Sequence, residues 1–66
     1  MATLYIMKDN LGYFSATGER ERDRVLDRKP GTKVEFFVTA DTIEDLLAVA
    51  KIEATERKIE VPDLYL

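Results

Sequence analysis

Between Gly18 and Lys29 the chain sets acid against base at almost every position: Glu19-Arg20-Glu21-Arg22-Asp23-Arg24-Val25-Leu26-Asp27-Arg28. Guanidinium groups grip phosphate oxygens two at a time. If the segment is extended, Arg20, Arg22, Arg24 and Arg28 fall on one face and Glu19, Glu21, Asp23 and Asp27 on the other. Beside Tyr5 and Tyr13, such a row is a candidate nucleic-acid platform, with arginines on the backbone and rings stacked on bases. The interleaved acids also fit a plainer reading, a solvated and charge-paired edge that discourages edge-to-edge association.

A second group is made of carboxylates: Asp41, Glu44, Asp45, Glu53, Glu56, Glu60 and Asp63. Carboxylates on one side of a small module can imitate phosphate spacing and fill a basic nucleic-acid-binding groove on a partner. Lys51, Arg57 and Lys58 interrupt them, and an ordinary solvated helix face is the alternative. The formal charge is −3 overall, but from Thr17 to Lys33 six basic residues face four acidic ones, and from Val34 onward three face eight. The molecule is expected to be electrically lopsided, which bears on partners rather than on fold.

Catalytic chemistry has little to work with. The chain has no cysteine and no histidine, which removes disulfides, thiolate metal sites and the commonest general base. Ser15 has no imidazole to activate it, no glycine-rich phosphate loop follows a strand, and Asp9-Asn10-Leu11-Gly12 lacks the alternating ligands of a calcium loop. No enzyme activity, no cofactor and no metal are expected.

With 66 residues, 45% of them hydrophobic and 35% charged, the chain reads as one α+β domain spanning residues 1–66. No run approaches the ~20 apolar residues of a membrane span, and the first residues are too soon interrupted for a signal peptide. A soluble, cytoplasmic protein with no membrane partner is expected. The organising stretch runs from Lys33 to Glu56. Lys33-Val34-Glu35-Phe36-Phe37-Val38-Thr39 alternates as a strand, with Val34, Phe36 and Val38 toward the core. Thr42 with Asp45, or Asp41 with Glu44 one residue earlier, opens a helix, which places Ile43, Leu46, Leu47, Ala50 and Ala54 on one stripe and ends near Arg57.

Before that stretch, Thr3 to Lys8 and Tyr13 to Thr17 read as a hairpin around Asp9-Asn10-Leu11-Gly12. Lys29-Pro30-Gly31-Thr32 has type II turn chemistry, so the charged run from about Arg22 is expected to form a second hairpin with the central strand, leaving Gly18 to Glu21 as a loop. The predicted architecture is a small four-stranded, mainly antiparallel sheet of two hairpins, with one amphipathic helix on one face and a short C-terminal strand or tail around Ile59-Glu60-Val61. That arrangement leaves an apolar surplus. Tyr5, Met7, Tyr13 and Phe37 face away from the helix, and Val49 and Ile52 away from the sheet. Either the tail, Val61, Leu64, Tyr65 and Leu66, folds over one of these surfaces, or a partner or a second copy in a homodimer does.

Leu4-Tyr5-Ile6, the Gly12-Tyr13-Phe14 strand and the later helix are similar to the strand, strand, strand, helix layout of the arm-binding domains of phage integrases. That resemblance implies direct nucleic-acid binding. The chain departs from it in being acidic and in carrying the extra charged segment. The leading expectation is an acidic, non-enzymatic interaction protein that binds and inhibits or modulates a macromolecular partner through a basic, nucleic-acid-binding surface. By analogy of size and charge this is the pattern of phage or mobile-element DNA mimics of the anti-CRISPR or anti-restriction type. The alternatives are a nucleic-acid-binding module using the arginines and tyrosines, and a structural subunit of an oligomer.

Overall fold

Leu4, Tyr5, Ile6 and Met7 are bulky side chains that alternate across a pleat, and the chain turns where Asp9 and Gly12 allow it. The computed structural model describes residues 1–65, apart from the side chains of Asp63 and Tyr65. β1 (Ala2–Lys8) and β2 (Phe14–Gly18) form the expected antiparallel hairpin, Leu4 opposite Gly18 and Lys8 opposite Phe14. Asp9 holds the turn, one carboxylate oxygen accepting the backbone N–H groups of Leu11 and Tyr13, each at 2.9 Å. Gly12 sits at φ +91°, where a side chain would be strained.

α1 (Glu19–Arg28), β3 (Lys33–Ala40), α2 (Ile43–Glu56) and a 3-10 turn (Pro62–Tyr65) complete the chain. The sheet order is β2-β1-β3, with each neighbouring pair antiparallel. Among the described residues there are thus three strands and two α-helices, not four strands and one helix.

The additional helix, α1, has a topological cause. β3 pairs with β1 on the side away from β2, so the chain leaving β2 crosses over β1 before it can enter β3. β2 and β3 run parallel, and a parallel pair needs a crossover element, usually a helix. The segment from Glu19 to Arg28 fills that role, and arginines 20, 22, 24 and 28 therefore do not line one face of a strand. Arg and Glu form helices well, while acids are poor strand residues; Glu19 and Glu21 in the first turn and Arg28 in the last suit the helix dipole. An apolar count alone undervalues this helix. Arg22 lies against the Tyr5 ring, so its stem adds to the packing surface of Val25 and Leu26. Lys29-Pro30-Gly31-Thr32 does turn, with Thr32 N–H donating to the Lys29 carbonyl at 3.1 Å and Gly31 at φ +89°, but it joins a helix to a strand.

The core lies between the sheet and α2. Thr42 caps α2 as expected, its hydroxyl accepting the Asp45 N–H at 3.1 Å. Leu46, Ala50 and Ala54 are buried against Ile6, Phe36 and Val38, with Leu47 partly buried; Ile43, just past the cap, stays 70% exposed. A bulge puts Phe36 opposite Ile6 and Val34 opposite Met7, leaving Glu35 as an extra residue. It turns Val34 off the core face.

At its end α2 closes in a Schellman arrangement. Ile59 N–H donates to the Ala54 carbonyl at 2.8 Å, Lys58 N–H to that of Thr55 at 3.1 Å, and Lys58 occupies the left-handed position at φ 59°. A lysine there carries a steric cost that glycine avoids. Lys58→Gly should raise the unfolding free energy by about 0.5–1 kcal/mol, less than the full left-handed cost because glycine also loosens the unfolded chain. A denaturation midpoint that does not rise would refute this.

The expected strand over Ile59-Glu60-Val61 is absent, because Pro62 has no N–H for a ladder and the chain turns at once into the 3-10 segment. That segment packs on β2 and α2, and Val61 and Leu64 are 1% and 8% exposed within the core. The tail therefore covers the sheet face that α2 occupies. The Tyr65 side chain and Leu66, assigned to the same tail, lie outside the described residues. On the opposite face α1 packs on β1 and β2, and Met7 is fully buried there. Among the described residues no helix is long and apolar enough to cross a membrane.

Candidate functional site

Because Leu46, Ala50 and Ala54 commit one side of α2 to the core, the residues half a turn away must face solvent. Ala48, Ile52 and Thr55 follow one another at helical spacing on that outward side, Val49 lies beside them, and Ile52 is 59% exposed. Thr55 donates its hydroxyl to the Lys51 carbonyl at 2.8 Å, so the group adds little polarity outside. Together with Lys51 and Glu56 these residues line a shallow, apolar depression. Val49 and Ile52 were expected to face away from the sheet, and they do. Ala48 and Thr55 join them, on the side where their helical spacing from Ile52 puts them.

The acidic residues are not gathered into one face. Asp41, Glu44 and Asp45 cluster at the start of α2, all exposed, where carboxylates suit the positive end of the helix dipole. Glu56 lies some 18 Å farther along the axis, at the margin of the depression. Glu53 is engaged locally: its carboxylate meets the Arg57 guanidinium at 3.3 Å, and that guanidinium lies 4.4 Å over the Phe36 ring. Glu60 lines a separate groove with Tyr13, Phe14, Lys58, Ile59 and Pro62. The side chain of Asp63 lies outside the described residues.

The arginine and tyrosine group is also divided. Arg22 donates to the Tyr5 hydroxyl at 2.7 Å, lies 4.7 Å over its ring, and meets Asp23 at 3.2 Å. The hydrogen bond to Asp23, and then Tyr5, hold its pKa above the ordinary arginine value. One face of Tyr5 is thus already covered by a cation. Tyr13, 71% exposed, stands in the groove beside Pro62 and not with Tyr5. Arg20, Arg24 and Arg28 follow at four-residue spacing along the solvent side of α1; Arg24 pairs with Glu21 at 3.4 Å, and the other two have no ion partner among the described residues. Asp23 and Asp27 form a parallel row one residue away, so the positive stripe is narrow.

Among the described residues no group of three or more carboxylates is arranged to hold a metal ion. The geometry offers surfaces for recognition: an apolar helix face with acidic ends, a narrow arginine row, and the exposed side of β3, where Phe37 is 60% exposed and its ring lies 5.8 Å from that of Tyr5. No protein-family model matches the chain, and neither a curated protein nor a solved structure matches it.

Proposed function

We propose that this chain is a non-enzymatic protein-binding module that docks the outward face of α2 on a partner surface with an apolar centre and a basic margin. The observation that carries this reading is Ile52, 59% exposed in the middle of a helix whose inward side is already filled by core contacts. Glu44 and Asp45 toward one end and Glu56 at the other supply charge complementary to Lys or Arg on the partner. Apolar centre and polar rim is the usual anatomy of a protein interface. A partner whose basic margin is occupied in this way loses access to a polyanion that uses the same margin, which is the route from binding to inhibition. The narrower reading, an inhibitor of nucleic-acid-handling machinery, rests on charge alone.

The scattered carboxylates argue against a continuous phosphate mimic, so the apolar centre is the better source of affinity. Ile52→Asp, and separately the combined reversal of Glu44, Asp45 and Glu56 to Lys, should each weaken a partner captured by the wild-type chain at least about tenfold while leaving the melting curve in place. Capture that is indifferent to both variants would remove α2 from the account. The row of Arg20, Arg24 and Arg28 favours a second reading, direct nucleic-acid binding. Titration with single- and double-stranded nucleic acid at low and moderate salt decides between them. Steeply salt-dependent binding that disappears when the three arginines become alanine would move the function to α1.

A further inference from the structure

β3 is an edge strand of eight residues, and among the described residues nothing pairs with its outer side. Natural edges are usually short, charged, interrupted by proline, or bulged. β2, the other edge, has five residues and ends at a glycine. β3 has its bulge at Glu35, but from Phe36 to Ala40 it reads Phe-Phe-Val-Thr-Ala, with no charge and no proline. Such a stretch offers unpaired backbone groups and a flat, β-favouring surface to another strand.

We infer that this edge pairs with the same strand of a second copy, antiparallel about a two-fold axis, to give a continuous six-stranded sheet. Directly opposed residues in a joined sheet must point to the same face, so the axis has to pass through a residue and not between two. An axis at Val38 would set Glu35 against the partner's Asp41, two like charges. One at Phe36 would set Glu35 against the partner's Phe37. An axis at Phe37 stacks that exposed ring on its own copy and sets Phe36 against the partner's Val38. It also sets Glu35 opposite the partner's Thr39, a pairing with no like charge. The same axis brings the Lys33 end of each strand beside the Asp41 end of the other, and both groups are exposed. This register alone joins rings to rings and opposite charges to each other. A two-fold normal to the sheet also keeps both α2 helices on one side, so the dimer presents two outward α2 faces in the same direction, an arrangement suited to bivalent binding.

The test is solution mass by sedimentation equilibrium over a wide concentration range, on the full chain. The wild type should show twice the 7.6 kDa chain mass at the upper end and dissociate on dilution. Phe37→Lys, which places two like charges on the axis, should leave a monomer. Because Phe37 also neighbours Tyr5, a charge swap supplies a second measure: Lys33→Asp or Asp41→Lys alone should raise the dimer dissociation constant roughly fivefold, and the double variant should restore it. A wild type that stays monomeric at every concentration overturns the inference. So does a dimer that keeps its dissociation constant in Phe37→Lys and in both single charge reversals.

Discussion

A chain ending at Lys58 should not fold. The residues beyond it form an irregular segment with a proline, but Val61 is 1% and Leu64 8% exposed, and Ile59 packs against the same core. α2 packs on β3 and β1, while the C-terminal turn packs on β2, so removing the tail would uncover Phe14 and Ala16 as well. Fully burying a Val or Leu contributes about 1.5–3 kcal/mol each. The two together account for about as much as the ~3–5 kcal/mol that a core of this size is expected to supply in total, with no disulfide or metal to compensate. The truncated chain should give a disordered far-UV spectrum and collapsed amide dispersion, and Val61→Asp should do nearly the same by burying a charge. A truncated protein that melts within about 1 kcal/mol of the full chain would mean that the tail merely adheres to a self-sufficient core.

The features legible in the sequence were those set by local chemistry. Asp9 and Gly12 made the hairpin, the capping residues Asp41 and Thr42 placed the start of α2 to within one residue, and the alternation of Leu4, Tyr5, Ile6 and Met7 assigned the faces of β1 correctly. What failed was non-local. The Arg and Glu residues from Glu19 to Arg28 favour a helix locally, but the crossover that requires one there depends on which side of β1 receives β3, and no residue within the segment records that. The bulge at Glu35 was hidden for the same reason, since it exists only in the pairing of two strands. At the surface, the exposure of Ile52 followed from helical period. The sharing out of Tyr5 to Arg22 and of Glu53 to Arg57 did not, because both depend on side-chain reach within the folded chain.

Phe36→Ala should cost about 3–5 kcal/mol and Phe37→Ala less than about 1 kcal/mol, although the two residues are chemically identical and adjacent. Phe36 is 7% exposed, packed with Ile6 and Leu46, and its ring carries the Arg57 guanidinium at 4.4 Å; truncation opens a cavity under α2 and releases that cation. Phe37 points to the other face, is 60% exposed, and has its ring 5.8 Å from that of Tyr5. Urea denaturation at low protein concentration measures this contrast in the single chain. Equal costs would mean that the register of β3 on β1 is wrong. Repeated at high concentration, the same experiment bears on the β3 edge. If two copies pair there, the wild-type midpoint rises with concentration by mass action and that of Phe37→Ala rises less, so a residue that matters little to the monomer becomes costly to lose in the assembly. Phe36→Ala, already unfolded or nearly so, offers no such rise at any concentration where its core has not formed.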